Sequence, residues 1–168
     1  IAKGIDILQI NLGKLCNLSC RHCHVNAGPA RTEIMSRPVL TKCLDILHSC
    51  QISTIDITGG APEMNPHLEW FIGEAARLNR RLIVRSNLTL LCEEQYRHFI
   101  DVFVNHHVEI VASLPDYLEV NSDRQRGAGV FRKVIAAMRE LNARGYGIPG
   151  SGLCIDIVHN PVGAYLPG

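Results

Sequence analysis

Cys16, Cys20 and Cys23 stand in the arrangement C-x3-C-x2-C within the stretch Leu15-Cys16-Asn17-Leu18-Ser19-Cys20-Arg21-His22-Cys23-His24. Thiols spaced in this way can all turn onto one face of a short loop, and three thiolates on one [4Fe-4S] cube leave its fourth iron without a protein ligand. Two other readings stay open on spacing alone. Residues 20–24 also spell C-x-x-C-H, the pattern of c-type haem attachment, and the same thiols with His22 or His24 could hold zinc. Haem attachment needs an exported chain, and no signal segment is visible. A structural zinc site usually pairs two such knuckles, whereas this sequence has one.

Four cysteines remain once those three are set aside, an odd total of seven in 168 residues. That number fits thiols acting as ligands or core residues in a reducing compartment, so a cytoplasmic protein is expected. Cys43 and Cys50, seven apart on an expected helix, read as small buried apolar residues, and Cys92 and Cys154 as core. A composition of 46% hydrophobic and 20% charged residues is that of a globular domain, and a net charge of +1 gives no electrostatic case for a nucleic-acid partner. No apolar run reaches the length of a membrane span. The length suits one domain, residues 1–168. Ile1 at the start, and an end at Leu166-Pro167-Gly168 without a closing helix, make a fragment of a longer protein the expectation.

What must position the cysteines is legible in the hydrophobic periodicity. Residues 5–11 read as a strand buried on most of both faces, and the cysteine loop follows directly. Ser36 and Pro38 open a helix with Leu40, Cys43, Leu44 and Leu47 on its apolar side. Residues 53–58 alternate as a second strand that runs into Gly59-Gly60-Ala61-Pro62-Glu63. Asn65 is expected as the N-cap of the next helix with Pro66 at its first position, and Leu68, Phe71, Ile72 and Ala75 as its buried face. A third strand covers residues 81–84, a helix residues 93–103 and a fourth strand residues 108–112. The longest loop follows, then a helix over residues 131–144 with Gly145 closing it, and a fifth strand over residues 153–158.

Strand and helix alternate throughout, with crossovers long enough for parallel pairing, so the fold expected is α/β with helices outside a parallel sheet. Ligands of such sheets collect at the carboxyl ends of the strands. Each polar or glycine-rich cluster lies there: the cysteines after the first strand, Gly59-Gly60 after the second, Asn87 after the third, Ser113 after the fourth, and Asn160 after the fifth. Each also has a structural reading. Gly59-Gly60 could be a tight turn, Asn87 and Ser113 could cap turns, and Arg126 could be a solvated loop charge.

Together these motifs resemble the radical S-adenosylmethionine (SAM) superfamily, which implies a partial TIM barrel of (βα) units, about five of its six being present here. Gly59-Gly60-Ala61-Pro62-Glu63 is similar to that family's GGE-type motif, which implies that Gly59, Gly60 and Glu63 meet the amino group of SAM. Ser113-Leu114-Pro115-Asp116 and the run from Asp123 to Phe131 resemble its fourth-strand ending and the loop after it. They imply contacts of Ser113 and Arg126 with the ribose and carboxylate, a forked arginine being well shaped to grip a carboxylate. Asn87 and Asn160 are further candidate contacts. The resemblance implies a [4Fe-4S] cluster on Cys16, Cys20 and Cys23, SAM as cofactor, and an electron donor such as flavodoxin or ferredoxin.

A narrower resemblance covers about residues 8–161. Asn11-Leu12-Gly13-Lys14, Cys23-His24-Val25-Asn26-Ala27-Gly28-Pro29, Ser86-Asn87-Leu88-Thr89 and Val111-Ala112-Ser113-Leu114-Pro115 look like the arsenosugar-biosynthesis radical SAM proteins. It implies adenosylation of a dimethylated trivalent arsenic substrate, and a cysteine-rich second half absent here. This sequence has Ser86 and Asp116 where that resemblance leads us to expect cysteines. The alternatives are a peptide-modifying radical SAM enzyme and a non-catalytic zinc module.

Overall fold

The computed structural model describes residues 4–160. Five strands, β1 (Ile7–Asn11), β2 (Thr54–Thr58), β3 (Arg81–Ser86), β4 (Glu109–Ser113) and β5 (Ile155–Val158), pair in parallel in sequence order. Between them run α1 (Arg37–Ser49), α2 (Leu68–Arg77), α3 (Phe99–Asn105), α4 (Glu119–Arg126) and α5 (Val130–Ala143). The expected α/β fold with a parallel sheet is therefore present.

Alternation along the strands divides the sheet into two faces. Ile55, Ile57, Leu82, Val84, Ile110 and Ala112 point one way and pack with Leu40, Leu47, Phe71, Ile72, Val134 and Leu141 of the helices, all at most 2% exposed. Burying each large apolar side chain here contributes about 1.5–3 kcal/mol, which makes this layer the core. Gln9, Asp56, Arg85 and Ser113 point the other way, so the opposite face is polar, unlike the apolar layers that fill a closed (βα)8 barrel. Among the described residues no helix is long and apolar enough to cross a membrane.

Several local expectations differ from the structure. The first strand is not buried on both faces: it lies at the edge of the sheet, Ile5 and Ile7 are 66% and 54% exposed, and only Ile10 is buried. Asn65 does not cap α2, whose N-cap is His67. Its amide instead ties two distant carbonyls, donating to Leu12 at 3.3 Å and Met35 at 3.0 Å, while its oxygen accepts from the His67 N–H. The helix expected over residues 93–103 is instead one 3-10 turn, Glu94–Tyr96, followed by the short α3. The long loop after β4 contains α4, which the polar run from Glu119 to Arg126 did not announce. Cys50, Cys92 and Cys154 are exposed rather than buried, and Cys43 is half-buried. Gly145, at φ +107°, does follow the end of α5 as expected.

Candidate functional site

The cysteine loop is a folded-back segment pinned at its base. Gly13 and Ile34 form one bridge, Leu15 and Gly28 another, and the Lys14 N–H donates to Glu33 O at 2.8 Å. Glycine is required at position 13, where φ is +131° and an added Cβ would lie 2.1 Å from the Glu33 carbonyl oxygen. Farther out, the Arg21 N–H donates to the carbonyl of Gln125 in α4 at 3.0 Å, so the unforeseen helix holds the tip of the loop.

Cys16, Cys20 and Cys23 line a cavity of about 250 Å³ at the carboxyl ends of the strands. Gly59, Gly60, Asn87, Ser113, Arg126 and Asn160 line the same cavity, so nine of the ten expected site residues meet there. Around the thiols the loop presents N–H donors. Leu18 N–H reaches Cys16 Sγ at 3.4 Å, Ala27 N–H reaches Cys23 Sγ at 3.3 Å, and Asn87 Nδ2 lies 3.7 Å from Cys16 Sγ. Burial pushes the Cys16 thiol above its ordinary value, the Leu18 N–H works against this, and the neighbouring Cys20 and Cys23 sulfurs push it higher again. Such a trio releases protons when iron binds. The three sulfurs are not gathered as one ion needs: among the described residues no three His, Cys, Asp or Glu side chains could hold a single metal ion. A cube asks instead for one thiolate at each of three separate irons, and the three cysteines of this cavity are donors of that type and number.

Glu63 is the expected site residue that the structure does not bring to the cavity. Its carboxyl is buried, accepts a hydrogen bond from the Ser86 hydroxyl through one oxygen, and has no partner for the other among the described residues. Burial raises its pKa above the ordinary 4.5, with the Ser86 bond opposing. A carboxyl raised in the folded state stabilises the fold below its ordinary pKa, and that contribution fades as pH rises through the folded value. Glu63→Gln is therefore expected to flatten the decline of stability above pH 4.5, read from melting temperatures across pH. A variant with the wild-type pH profile would show that Glu63 titrates normally.

Other residues of the cavity wall were not foreseen. Arg85 is held by Asp56, with Nε to Oδ1 at 2.8 Å and Nη2 to Oδ2 at 2.8 Å, and Gln9 Nε2 donates to the same carboxylate at 2.7 Å. Burial alone would raise Asp56, but these hydrogen bonds outweigh it and hold the carboxyl below its ordinary value. Strand register could have signalled the group, because Gln9 and Asp56 are paired across β1 and β2. His22 and His24, which the sequence offered as zinc partners of the thiols, also line the cavity; burial, then Arg126 and His24, keep the His22 imidazolium disfavoured. Arg126 is only 6% exposed rather than a solvated loop charge, and its Nη1 donates to the Ser113 carbonyl. Of the two expected cysteine positions, Ser86 is on the cavity wall, whereas the Asp116 carboxylate accepts from Leu118 N–H at 2.8 Å and Asn121 Nδ2 at 3.0 Å.

Comparison with known proteins places this geometry in context. The model of the Radical SAM superfamily matches residues 10–160. The chain is 24% identical over 159 residues to the mycofactocin maturase MftC of Mycobacterium tuberculosis, covering 93% of this chain and 39% of that protein. It is 28% identical over 79 residues to the antilisterial bacteriocin subtilosin biosynthesis protein AlbA of Bacillus subtilis, covering 47% of this chain and 18% of that one. The chain thus spans less than half the length of the curated relatives it matches. Among solved structures, Streptococcus suis SuiB bound to the precursor peptide SuiA aligns with a TM-score of 0.71 at 16% identity, over 86% of this chain and 32% of that one. SuiB has also been solved with S-adenosylmethionine.

Proposed function

This chain belongs to the radical SAM superfamily, whose enzymes use a [4Fe-4S] cluster and SAM, and from that premise we propose that Cys16, Cys20 and Cys23 hold the cluster of an enzyme that modifies a peptide. The observation that carries the cluster assignment is the shared cavity: three thiols and the strand-end residues of β2, β3 and β4 line one space. When bound, the cluster supplies one electron to SAM, giving methionine and a 5'-deoxyadenosyl radical.

The chain's own residues prepare that chemistry. The N–H groups of Leu18 and Ala27 stabilise thiolates at Cys16 and Cys23. Gly59 and Gly60 leave backbone bare on the cavity wall for the amino group of SAM. Arg126, steadied by the Ser113 carbonyl, offers its guanidinium to the SAM carboxylate. Leu18, Val25, Val111 and Val158 give the cavity apolar walls that exclude water from a reactive carbon radical. Arg126→Ala is expected to weaken SAM binding by roughly 1.5–3 kcal/mol, the range for a hydrogen bond to a charged group. Equilibrium dialysis reads this, and an unchanged affinity would confine Arg126 to bracing Ser113.

The peptide substrate rests on the relatives, a bacteriocin biosynthesis protein and a maturase, and on a structural neighbour solved with a precursor peptide. No comparison reported above links this chain to arsenosugar biosynthesis, so that expectation becomes the second reading. Its support is the motif resemblance together with the place of Ser86 on the cavity wall. Without thiols at Ser86 and Asp116 a trivalent arsenic compound would be held loosely, and that reading expects much free 5'-deoxyadenosine beside any adduct. Mass spectrometry of the reduced full-length protein with SAM separates the two. One arm offers short peptides encoded beside the gene, and a mass-shifted peptide upholds the first reading. The other offers a dimethylated trivalent arsenic compound, and a carbon–arsenic bond at the 5' position of adenosine, with peptides unchanged, replaces it by the second.

A further inference from the structure

Asn87 lines the cavity, yet its side chain is turned inward. Its Nδ2 lies 3.7 Å from Cys16 Sγ and 2.9 Å from Asn17 Oδ1, and its Oδ1 accepts from the Thr89 N–H at 2.9 Å and the Thr89 hydroxyl at 2.7 Å. The ring closes through Asn17 Nδ2, which donates to Thr89 Oγ1 at 2.8 Å. Asn87 is 7% exposed and Thr89 is fully buried, so their half of the network is shielded from water, with Asn17 part-buried at its outer side, and the bonds to Thr89 fix the Asn87 amide orientation. Asn17 is the residue directly after Cys16, which ties the end of β3 to the start of the cysteine loop through side chains alone.

We propose that Asn87 is a positioning residue for the cluster, which it tunes by aiming one amide N–H at the Cys16 sulfur, with Asn17 and Thr89 locking that amide in place. The inference rests on the cluster assignment above. Reduction adds negative charge to the cluster and its sulfurs, so a donor pointed at a ligating sulfur stabilises the reduced form more than the oxidised one and raises the potential. Cys16 receives this side-chain donor in addition to the Leu18 N–H, whereas the only donor to Cys23 is the backbone of Ala27 among the described residues. The cluster is thus made easier to reduce from the side of β3. The same contact fixes the Cys16 sulfur against the strand ends.

The test is a redox titration of the reconstituted full-length protein, followed by electron paramagnetic resonance, in the absence of SAM so that any contact of Asn87 with SAM plays no part. Asn87→Ala, loaded to the wild-type iron and sulfide content, is expected to be about tenfold harder to reduce, which for a one-electron couple is about 59 mV more negative. Thr89→Val, which keeps the volume but removes the hydroxyl that pins both amides, is expected to shift in the same direction by less. Asn160→Ala, on the cavity wall without a bond to sulfur, is expected to leave the potential unchanged. A purely structural role for Asn87 would lower the fraction loaded without moving the potential of the loaded fraction. Wild-type potentials in loaded Asn87→Ala and Thr89→Val overturn the inference. Should Asn87→Ala fail to load, an unshifted Thr89→Val alone overturns it and a negative shift there upholds it. A wild-type protein that takes up no iron overturns the cluster assignment and this inference with it.

Discussion

Replacing any one of Cys16, Cys20 or Cys23 by alanine is expected to leave the protein without a stable [4Fe-4S] cluster and unable to form 5'-deoxyadenosine from SAM. On the proposed assignment these three thiols, the only ones lining the cavity among the described residues, would hold the cube, and losing one would leave a second iron unligated. The fold itself should survive. Cys20 and Cys23 are half-buried and belong to no apolar cluster, and Cys16 sits in a small one with Ala61 and Leu90, apart from the main core. Truncating Cys16 should therefore cost about 1 kcal/mol, the ordinary cost of a point substitution. Iron and sulfide analysis beside thermal melting separates the two effects. Alanine at Cys43, Cys50, Cys92 or Cys154, none of which lines the cavity, should leave the iron content unchanged. Four irons retained in any of the first three variants would show that the ligand set is wrong.

Gly60→Ala is expected to have the next largest effect, reached through the backbone rather than through a ligand. A Cβ at Gly60 would lie 2.3 Å from the Leu15 carbonyl oxygen and 2.9 Å from its carbon. Neither neighbour is the end of a flexible side chain, so the segment just before Cys16 must move. That movement strains the bonds that dock β2 against it, Gly60 N–H to Gly13 O and Ala61 N–H to Leu15 O, both 2.9 Å. Overpacking of this kind costs about 1–3 kcal/mol, and here it also displaces the cysteine loop. Lower melting temperature and poor iron uptake are the expected outcome. Gly73→Ala is the contrast: it lies inside α2 with nothing within 4 Å of an added Cβ, and alanine there should be stabilising by about 0.5–1 kcal/mol. Equal melting temperature and iron uptake in Gly60→Ala and the wild type would contradict the docking role of Gly60.

The parallel sheet and the gathering of its strand-end residues were legible because both follow from order along the chain. Alternating strands and helices force parallel pairing, and parallel strands send every carboxyl end to one side. What the sequence left unread depends on contacts distant in the chain. The apolar run of β1 resembles a buried strand, but its place at the sheet edge exposes Ile5 and Ile7, and edge position is a property of topology. In α4 the buried residues are Ser122, Gln125 and Arg126, so no apolar period marks the helix. Asn65 precedes a proline and looks like a cap, yet its amide serves Leu12 and Met35, 53 and 30 residues upstream. Glu63 follows the glycines as a ligand-binding acid would, but the 3-10 turn Pro62–Met64 carries it beneath Ser86.

Whether Cys16, Cys20 and Cys23 hold a cluster whose open iron binds SAM is tested directly by electron paramagnetic resonance of the anaerobically reconstituted, reduced full-length protein, with and without SAM. The signal of a reduced [4Fe-4S] cluster, changed in shape when SAM is added, is the predicted result. Stoichiometric zinc with no uptake of iron, or a cluster signal indifferent to SAM, would contradict it.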